Sequence, residues 1–208
     1  MSLAEWYRRH LLVPVVHTVC ATPGIGRWRA RATEGLAGTV LEIGFGTGLN
    51  LPFYPDQVER VLAIEPSDDA WAMAAERIAR APFPVERVGT DAQAIPLADH
   101  ACDAALSTFT LCTVPDEVRA LAEIRRVLVA GGTLHVAEHG LAPGGAVARW
   151  QWRLDRLEQR VADGCHLTRD PVAMLARHGF DVEVRAQGYE TAPTPWSYIT
   201  VATGRVRD

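Results

Sequence analysis

The chain has 208 residues, 48% of them hydrophobic and 22% charged, with a formal net charge of −4. That length suffices for one α/β domain with a sizeable core. The slight acidity argues against a nucleic-acid partner, which calls for a basic surface, and no apolar run approaches the ~20 residues of a membrane span, so no integral membrane segment is expected.

The apolar segment after residue 9 is interrupted by Pro14 and His17 and does not read as a signal peptide. Cys20, Cys102, Cys112 and Cys165 are scattered without a C-x-x-C pair and read as reduced thiols of a cytoplasmic protein. Residues 4–33 read as amphipathic helix broken near Pro14 and at Pro23-Gly24. Because this stretch precedes the first strand, residues 1–35 are expected to form a helical cap. The cap would pack on the sheet and partly cover a pocket, with Tyr7 and the arginines turned toward it and Trp6 and Trp28 in the core.

Residues 39–43 form a short apolar, β-branched run with one acid, Glu42, and read as a buried parallel strand. Gly44, Gly46 and Gly48 follow, a spacing that lets backbone approach a ligand closely. The prolines of Leu51-Pro52-Phe53-Tyr54-Pro55 stop any helix early. A second strand is expected over 58–65. A helix should then run from Ser67, its cap, through Asp68 and Asp69 to about residue 81. Strands at 85–90 and 102–108 flank a tight turn at 91–96. A helix over 116–128 carries an apolar stripe, with Gly131-Gly132 expected as its C-cap before a strand at 133–138. Helices at 146–162 and 170–178 and strands at 180–186 and 197–202 complete the pattern, with 192–195 as the last turn. Strands alternating with helices predict a Rossmann-like, doubly wound, mostly parallel α/β sheet of seven strands, with residues 36–208 as the core of a single domain.

A strand running into a glycine loop and then a helix is the nucleotide-binding end of such a sheet. The dinucleotide fingerprint G-x-G-x-x-G would need Gly or Ala at position 49, where Leu49 stands, so a nicotinamide oxidoreductase is disfavoured. Glu65 ends the second strand about 20 positions after Gly44, where an acid can accept both hydroxyls of a ribose. Asp91 and Ala92 follow the third strand, and a carboxylate there either accepts from an adenine amino group or closes an Asx turn before Pro96. Thr108 and Phe109 lie past the fourth strand, outside the carboxyl ends where ligands bind.

The loop E-x-G-x-G-x-G, from Glu42 to Gly48, resembles the first motif of the class I S-adenosylmethionine (SAM) methyltransferases. The resemblance spans about residues 39–203 and includes Glu123-Ile124-Arg125-Arg126-Val127-Leu128-Val129-Ala130-Gly131-Gly132, which is similar to the family's helix-to-strand-five signature. More narrowly, the chain resembles the methyltransferase-like 7, or alkyl thiol methyltransferase, group. The resemblance lies in Gly48-Leu49-Asn50-Leu51-Pro52-Phe53-Tyr54-Pro55, Thr110-Leu111-Cys112-Thr113-Val114, Glu138-His139 and Asp163-Gly164-Cys165-His166-Leu167-Thr168-Arg169. Animal members of that group begin with a membrane-anchoring apolar helix, which this chain does not match. The resemblance implies SAM as cofactor. Its methionine part would lie against Gly44, Gly46, Gly48 and Asn50 with Glu42 near the amino group, its ribose on Glu65 beside Pro66, and its adenine by Asp91 and Ala92, with Thr108 and Phe109 nearby.

Methyl transfer from a sulfonium needs no enzyme nucleophile, only alignment and, for a thiol acceptor, loss of a proton. His139 and His166 are the candidate proton acceptors, although His139 could equally be a satisfied loop histidine. Cys112, Tyr54 and Trp150 are the candidate acceptor-pocket residues, and Arg149, Arg153 and Arg169 could add positive potential. Cys112, His139, Cys165 and His166 are of zinc-ligand type but match no recognised spacing, so no metal is expected. The reading is transfer to a small-molecule thiol. Open alternatives are a C-, O- or N-methyltransferase acting on a quinone precursor, natural product or lipid amine, and a non-catalytic SAM-binding protein.

Overall fold

A computed structural model describes Tyr7 and residues 13–207. Most of the expected cap before residue 13, Trp6 included, lies outside the described residues. Helices α1 (Val13–Cys20) and α2 (Pro23–Thr33) precede the sheet. Thr22 caps α2 and Pro23 fills its first position, where the missing N–H costs nothing. The buried residues of α2 are Trp28, Arg29, Ala32 and Thr33, one helical stripe facing the sheet. Trp28 is core, as expected, and its indole N–H donates to Glu190.

Seven strands follow: β1 (Gly38–Ile43), β2 (Val58–Ile64), β3 (Val85–Gly89), β4 (Cys102–Thr108), β5 (Leu128–His139), β6 (Phe180–Tyr189) and β7 (Tyr198–Val206). Their order in the sheet is β3-β2-β1-β4-β5-β7-β6. The pairs β1–β2, β1–β4, β2–β3 and β4–β5 are parallel, and β7 runs antiparallel between β5 and β6. The winding reverses between β1 and β4, and the carboxyl ends at such a reversal are where sheets of this kind take their ligands.

The connecting elements are a 3-10 turn (Leu51–Phe53) and helices α3 (Asp68–Arg80), α4 (Glu117–Val127), α5 (Gly145–Val161) and α6 (Pro171–Arg177). Both faces of the sheet are covered. One core gathers Leu41, Ile43, Leu62 and Ile64 with Leu121, Ile124 and Leu175, and the other gathers Val40, Val61 and Leu106 with Trp28, Ala32 and Ala74. Each such aliphatic side chain contributes about 1.5–3 kcal/mol by leaving water. Ser67 caps α3 by accepting from the Ala70 N–H, with Asp68 and Asp69 in the first turn and Arg77 and Arg80 in the last, as the helix dipole favours.

Gly131-Gly132 does not cap α4. That helix ends at Val127, and β5 starts at Leu128. The glycines instead sit inside the strand, where the β4–β5 register slips between Cys102 and Ala104 and Gly131 takes φ +70°. A Cβ on Gly132 would lie 2.9 Å from the Val129 carbonyl, so the pair makes a bulge that only glycine accommodates. The last two strands run longer than expected, because each finds an antiparallel partner along its whole length.

Candidate functional site

Gly44, Gly46 and Gly48 all have positive φ, at +69°, +59° and +75°, a region that side chains with a Cβ rarely enter. Their surroundings differ. A Cβ on Gly44 would fall 2.2 Å from Thr110 Oγ1, so the loop packs directly on the segment after β4. At Gly46 the nearest atom would be the Gly44 carbonyl at 3.8 Å, so that side of the loop is open. The Gly46 N–H donates to Glu65 Oε2 (2.6 Å) and the Ser67 N–H donates to Oε1 (2.7 Å). Glu65 therefore joins the loop to the start of α3. Burial raises its pKa, and the Ser67 and Gly46 donors oppose that rise. Pro66 beside it is exposed. The cap meets the loop through His17, whose Nδ1 lies 2.8 Å from Thr47 Oγ1.

Behind the loop is a buried polar cluster. Glu42 Oε1 accepts from Asn50 Nδ2 (2.7 Å) and Oε2 accepts from the Tyr54 hydroxyl (2.6 Å). Burial pushes the Glu42 pKa up to about 7, against the pull of those two donors. Asn50 Nδ2 also donates to Thr108 Oγ1 (2.9 Å). Arg29, from the cap helix, reaches the same cluster: its Nη1 donates to Asn50 Oδ1 (2.9 Å) and to Thr108 Oγ1 (2.7 Å). Its guanidinium lies 5.2 Å from the Phe109 ring centroid, and Phe109 itself has φ +55°. Arg29 is 6% exposed, makes these bonds to neutral groups, and its buried Nε has no partner. Sequence reasoning singled out the arginines of the cap only as a group. The usable signal was position: Arg29 shares the buried stripe of Trp28, Ala32 and Thr33. Tyr7, expected to face the pocket, instead donates its hydroxyl to the Val161 carbonyl (2.8 Å).

Asp91 is exposed, and its Oδ1 accepts from the Gln93 N–H (2.8 Å) and Nε2 (2.9 Å). These bonds hold its pKa below the ordinary value. The turn is thus an Asx turn, with the carboxylate at the surface and Ala92 buried beneath it. A cleft of about 530 Å³ opens on the cap side of the loop, lined by Cys20, Arg29, Leu49, Phe53 and Arg77.

Beyond β4 and β5 lies the second half of the site. Glu138 Oε1 accepts from the Ser107 hydroxyl (2.8 Å) and from the N–H groups of Thr110 and Leu111 (3.0 Å each), fixing the loop that carries Cys112. This anchoring role was not legible in the sequence. His139 Nε2 lies 2.9 Å from Cys165 Sγ, and the sulfurs of Cys165 and Cys112 are 3.7 Å apart. The hydrogen bond from Cys112 and the contact with His139 lower the Cys165 pKa, against burial. Burial would lower the His139 pKa, but Cys165 outweighs it and the net shift is upward.

The other expected members go elsewhere. The His166 ring turns to α5, its Nδ1 3.1 Å from Gln159 Nε2 and 3.7 Å from Asp155. Trp150 is 51% exposed on α5 with Arg153 stacked on it, so it does not join this cluster, because the buried residue of that helix is Gln151. Tyr54 turns its hydroxyl to Glu42, and its ring stands T-shaped against Phe83, on the loop side. Arg169 ties down the Cys112 loop by donating to the carbonyls of Leu111 and Val114, and it pairs with Glu117.

Residues 41–136 match the methyltransferase domain family. Thiol S-methyltransferase TMT1B of Homo sapiens is 36% identical over 179 residues, covering 82% of this chain and 70% of that protein. Its counterpart in Rattus norvegicus is 32% identical over 169 residues, 78% of this chain and 66% of that protein, so the chain spans about two thirds of these relatives. Phosphatidylethanolamine N-methyltransferase of Cereibacter sphaeroides is 32% identical over 137 residues, 65% of this chain and 67% of that protein. Among solved structures, a SAM-dependent methyltransferase from Thermotoga maritima superposes with a TM-score of 0.67 at 21% identity, over 93% of this chain and 94% of that one. One from Methanosarcina mazei gives 0.63 at 20% identity, over 89% and 97%. These neighbours share the fold, and the sequence relatives settle the family: the chain belongs to the class I SAM-dependent methyltransferases.

Proposed function

We propose that this protein transfers the methyl group of SAM to the sulfur of a small-molecule thiol. The observation that carries the acceptor is the reach of the similarity. The family match ends at residue 136, the demethylmenaquinone methyltransferases cover 50–54% of the chain, and the phosphatidylethanolamine N-methyltransferase and the ubiquinone/menaquinone C-methyltransferase cover 65–66%, whereas the thiol S-methyltransferases cover 77–82%. No helix among the described residues is long and apolar enough to cross a membrane, and four free cysteines suit the cytoplasm.

The residues present fit SAM. The open side of Gly46 leaves room for its methionine chain, with Gly44 and Gly48 setting the curve of the loop. Glu65 accepts from the ribose hydroxyls, and Asp91, with the Ala92 N–H, meets the adenine edge. Arg29, a buried cation whose bonds go to neutral groups, takes the methionine carboxylate, an anion that would satisfy it. Glu42, fully buried behind Asn50 and Tyr54, acts through them. Thr108 and Phe109 close the crevice above β4.

When bound, SAM supplies an electrophilic methyl on a positively charged sulfur. The protein aligns acceptor and methyl for in-line displacement. A free alkyl thiol has a pKa of about 8.5, so only a few per cent is thiolate at pH 7. The His139–Cys165 pair is the polar group on the acceptor side that can favour the thiolate. A radiolabelled-methyl assay over thiols, phenols and amines tests the reading. A labelled methyl sulfide from a small thiol is expected. Label appearing only on a phenol, carbon acid or amine would refute the acceptor, and no transfer to any acceptor despite SAM binding would leave a binding protein.

A further inference from the structure

Cys112, His139 and Cys165 come from three separate places: the loop after β4, the last residue of β5, and the loop between α5 and α6. Their ligand atoms all lie within 4.8 Å of one another. We propose that these three side chains bind one soft divalent cation of the zinc class, leaving a fourth position for the acceptor sulfur.

The geometry suits such an ion. Tetrahedral zinc with Zn–S bonds of about 2.3 Å places two thiolate sulfurs about 3.7–3.8 Å apart. The sulfurs of Cys112 and Cys165 are 3.7 Å apart, the length of that edge. His139 Nε2 lies 2.9 Å from Cys165 Sγ, so the ring would swing out by roughly half an ångström to reach the edge a zinc site sets. Two thiolates and one imidazole are the ligand types that zinc prefers.

The scaffold holds the ligands in place. The Cys112 carbonyl accepts from the His166 N–H (2.9 Å), and Arg169 and Glu138 fix the same loop. His139 is held in β5 by pairing with Ile199. Two buried polar atoms in this place lack partners, His139 Nδ1 and Glu138 Oε2. A metal on Nε2 would leave both to an ordered water, the kind of partner that the second nitrogen of a metal-bound histidine takes.

With three protein ligands, a tetrahedral ion would keep a fourth position for substrate, as catalytic rather than structural zinc sites do. The cluster sits at the carboxyl ends of β4 and β5, beside the crevice proposed for SAM. The use of the fourth position rests on the thiol reading above. The acceptor sulfur loses its proton to solvent on coordination, as metal-bound thiols do. Its lone pair then forms the new S–CH3 bond, and the electron pair of the breaking C–S bond returns to the donor sulfur, which becomes a neutral thioether. The methylated product is a neutral and weaker ligand, and it leaves.

The test is metal content of the reduced full chain by mass spectrometry, with zinc titration against a chromophoric chelator and cobalt substitution read by its thiolate charge-transfer band. About one zinc per chain and that band are expected. Cys112→Ser and Cys165→Ser should each weaken zinc by more than about 100-fold. Both variants should still bind S-adenosylhomocysteine, which shows that they are folded. Wild-type protein that takes up neither zinc nor cobalt, or a Cys165→Ser protein that binds zinc as well as wild type, overturns the site. Stoichiometric zinc with methyl transfer only to non-thiol acceptors would uphold the site and refute the thiol reading. Full thiol methylation by metal-free protein would refute the role of the fourth position.

Discussion

Replacing Arg29 with methionine separates ligand binding from folding. In the wild type, Arg29 is 6% exposed, its Nη1 donates to Asn50 and Thr108, and its Nε is orphaned. Burying a cation with no carboxylate bonded to it costs several kcal/mol, offset in part by the nearby Glu42 and Glu138 charges, while the two acceptors left behind would cost about 1–3 kcal/mol. These oppose each other, so the stability of the Arg29→Met protein should stay within about 2 kcal/mol of wild type. A hydrogen bond to a charged group is worth about 1.5–3 kcal/mol, which predicts a 10- to 100-fold loss of affinity for a ligand carrying the methionine carboxylate. Calorimetry with two ligands isolates the effect. S-adenosylhomocysteine has the carboxylate and should bind 10- to 100-fold more weakly, while 5′-methylthioadenosine lacks it and should bind with unchanged affinity. Equal weakening of both ligands, or unchanged binding of both with a large loss of stability, would show that Arg29 only pins the cap to the sheet.

Glu65→Ala should weaken S-adenosylhomocysteine by about 10- to 100-fold, because it removes a carboxylate from the ribose and frees the Gly46 and Ser67 N–H groups. Asp91→Ala, at an exposed turn, should cost only about three- to tenfold; unchanged affinity in both variants would defeat the site. Gly44→Ala should destabilise the fold by roughly 2–4 kcal/mol in chemical denaturation, through positive φ and the clash with Thr110. Gly46→Ala, with open space beside it, should cost about 1–2 kcal/mol of stability yet impair cofactor binding severely. The Glu42 pKa of about 7 lies above its unfolded value of 4.5. The native state therefore holds a proton that the unfolded chain releases between those values, and stability should fall by about 3 kcal/mol as pH rises from 4.5 to 7, levelling off above. Glu42→Gln should flatten that part of the stability–pH profile; an unaltered slope would place the titration elsewhere.

The order of elements was legible in the residues themselves, because strand and helix periodicity are local. Residues 102–108 read as a strand and form β4, and Ser67 read as a cap and caps α3. Gly131-Gly132 was misread as a helix cap, because glycines after a helix suit either a cap or a bulge and only the β4 partner decides between them. The same limit governs the site. Gly44, Gly46 and Gly48 alternate with single residues in the chain, and only their lack of a Cβ lets all three take positive φ freely, so spacing alone exposed the loop. Arg29 and Asn50 stand 21 residues apart and Cys112 and Cys165 stand 53 apart. Whether such side chains meet depends on sheet order, on which face each helix buries and on which neighbours cover them. Those are properties of packing, so only the tertiary structure could draw His139 to Cys165 and turn His166 and Trp150 away.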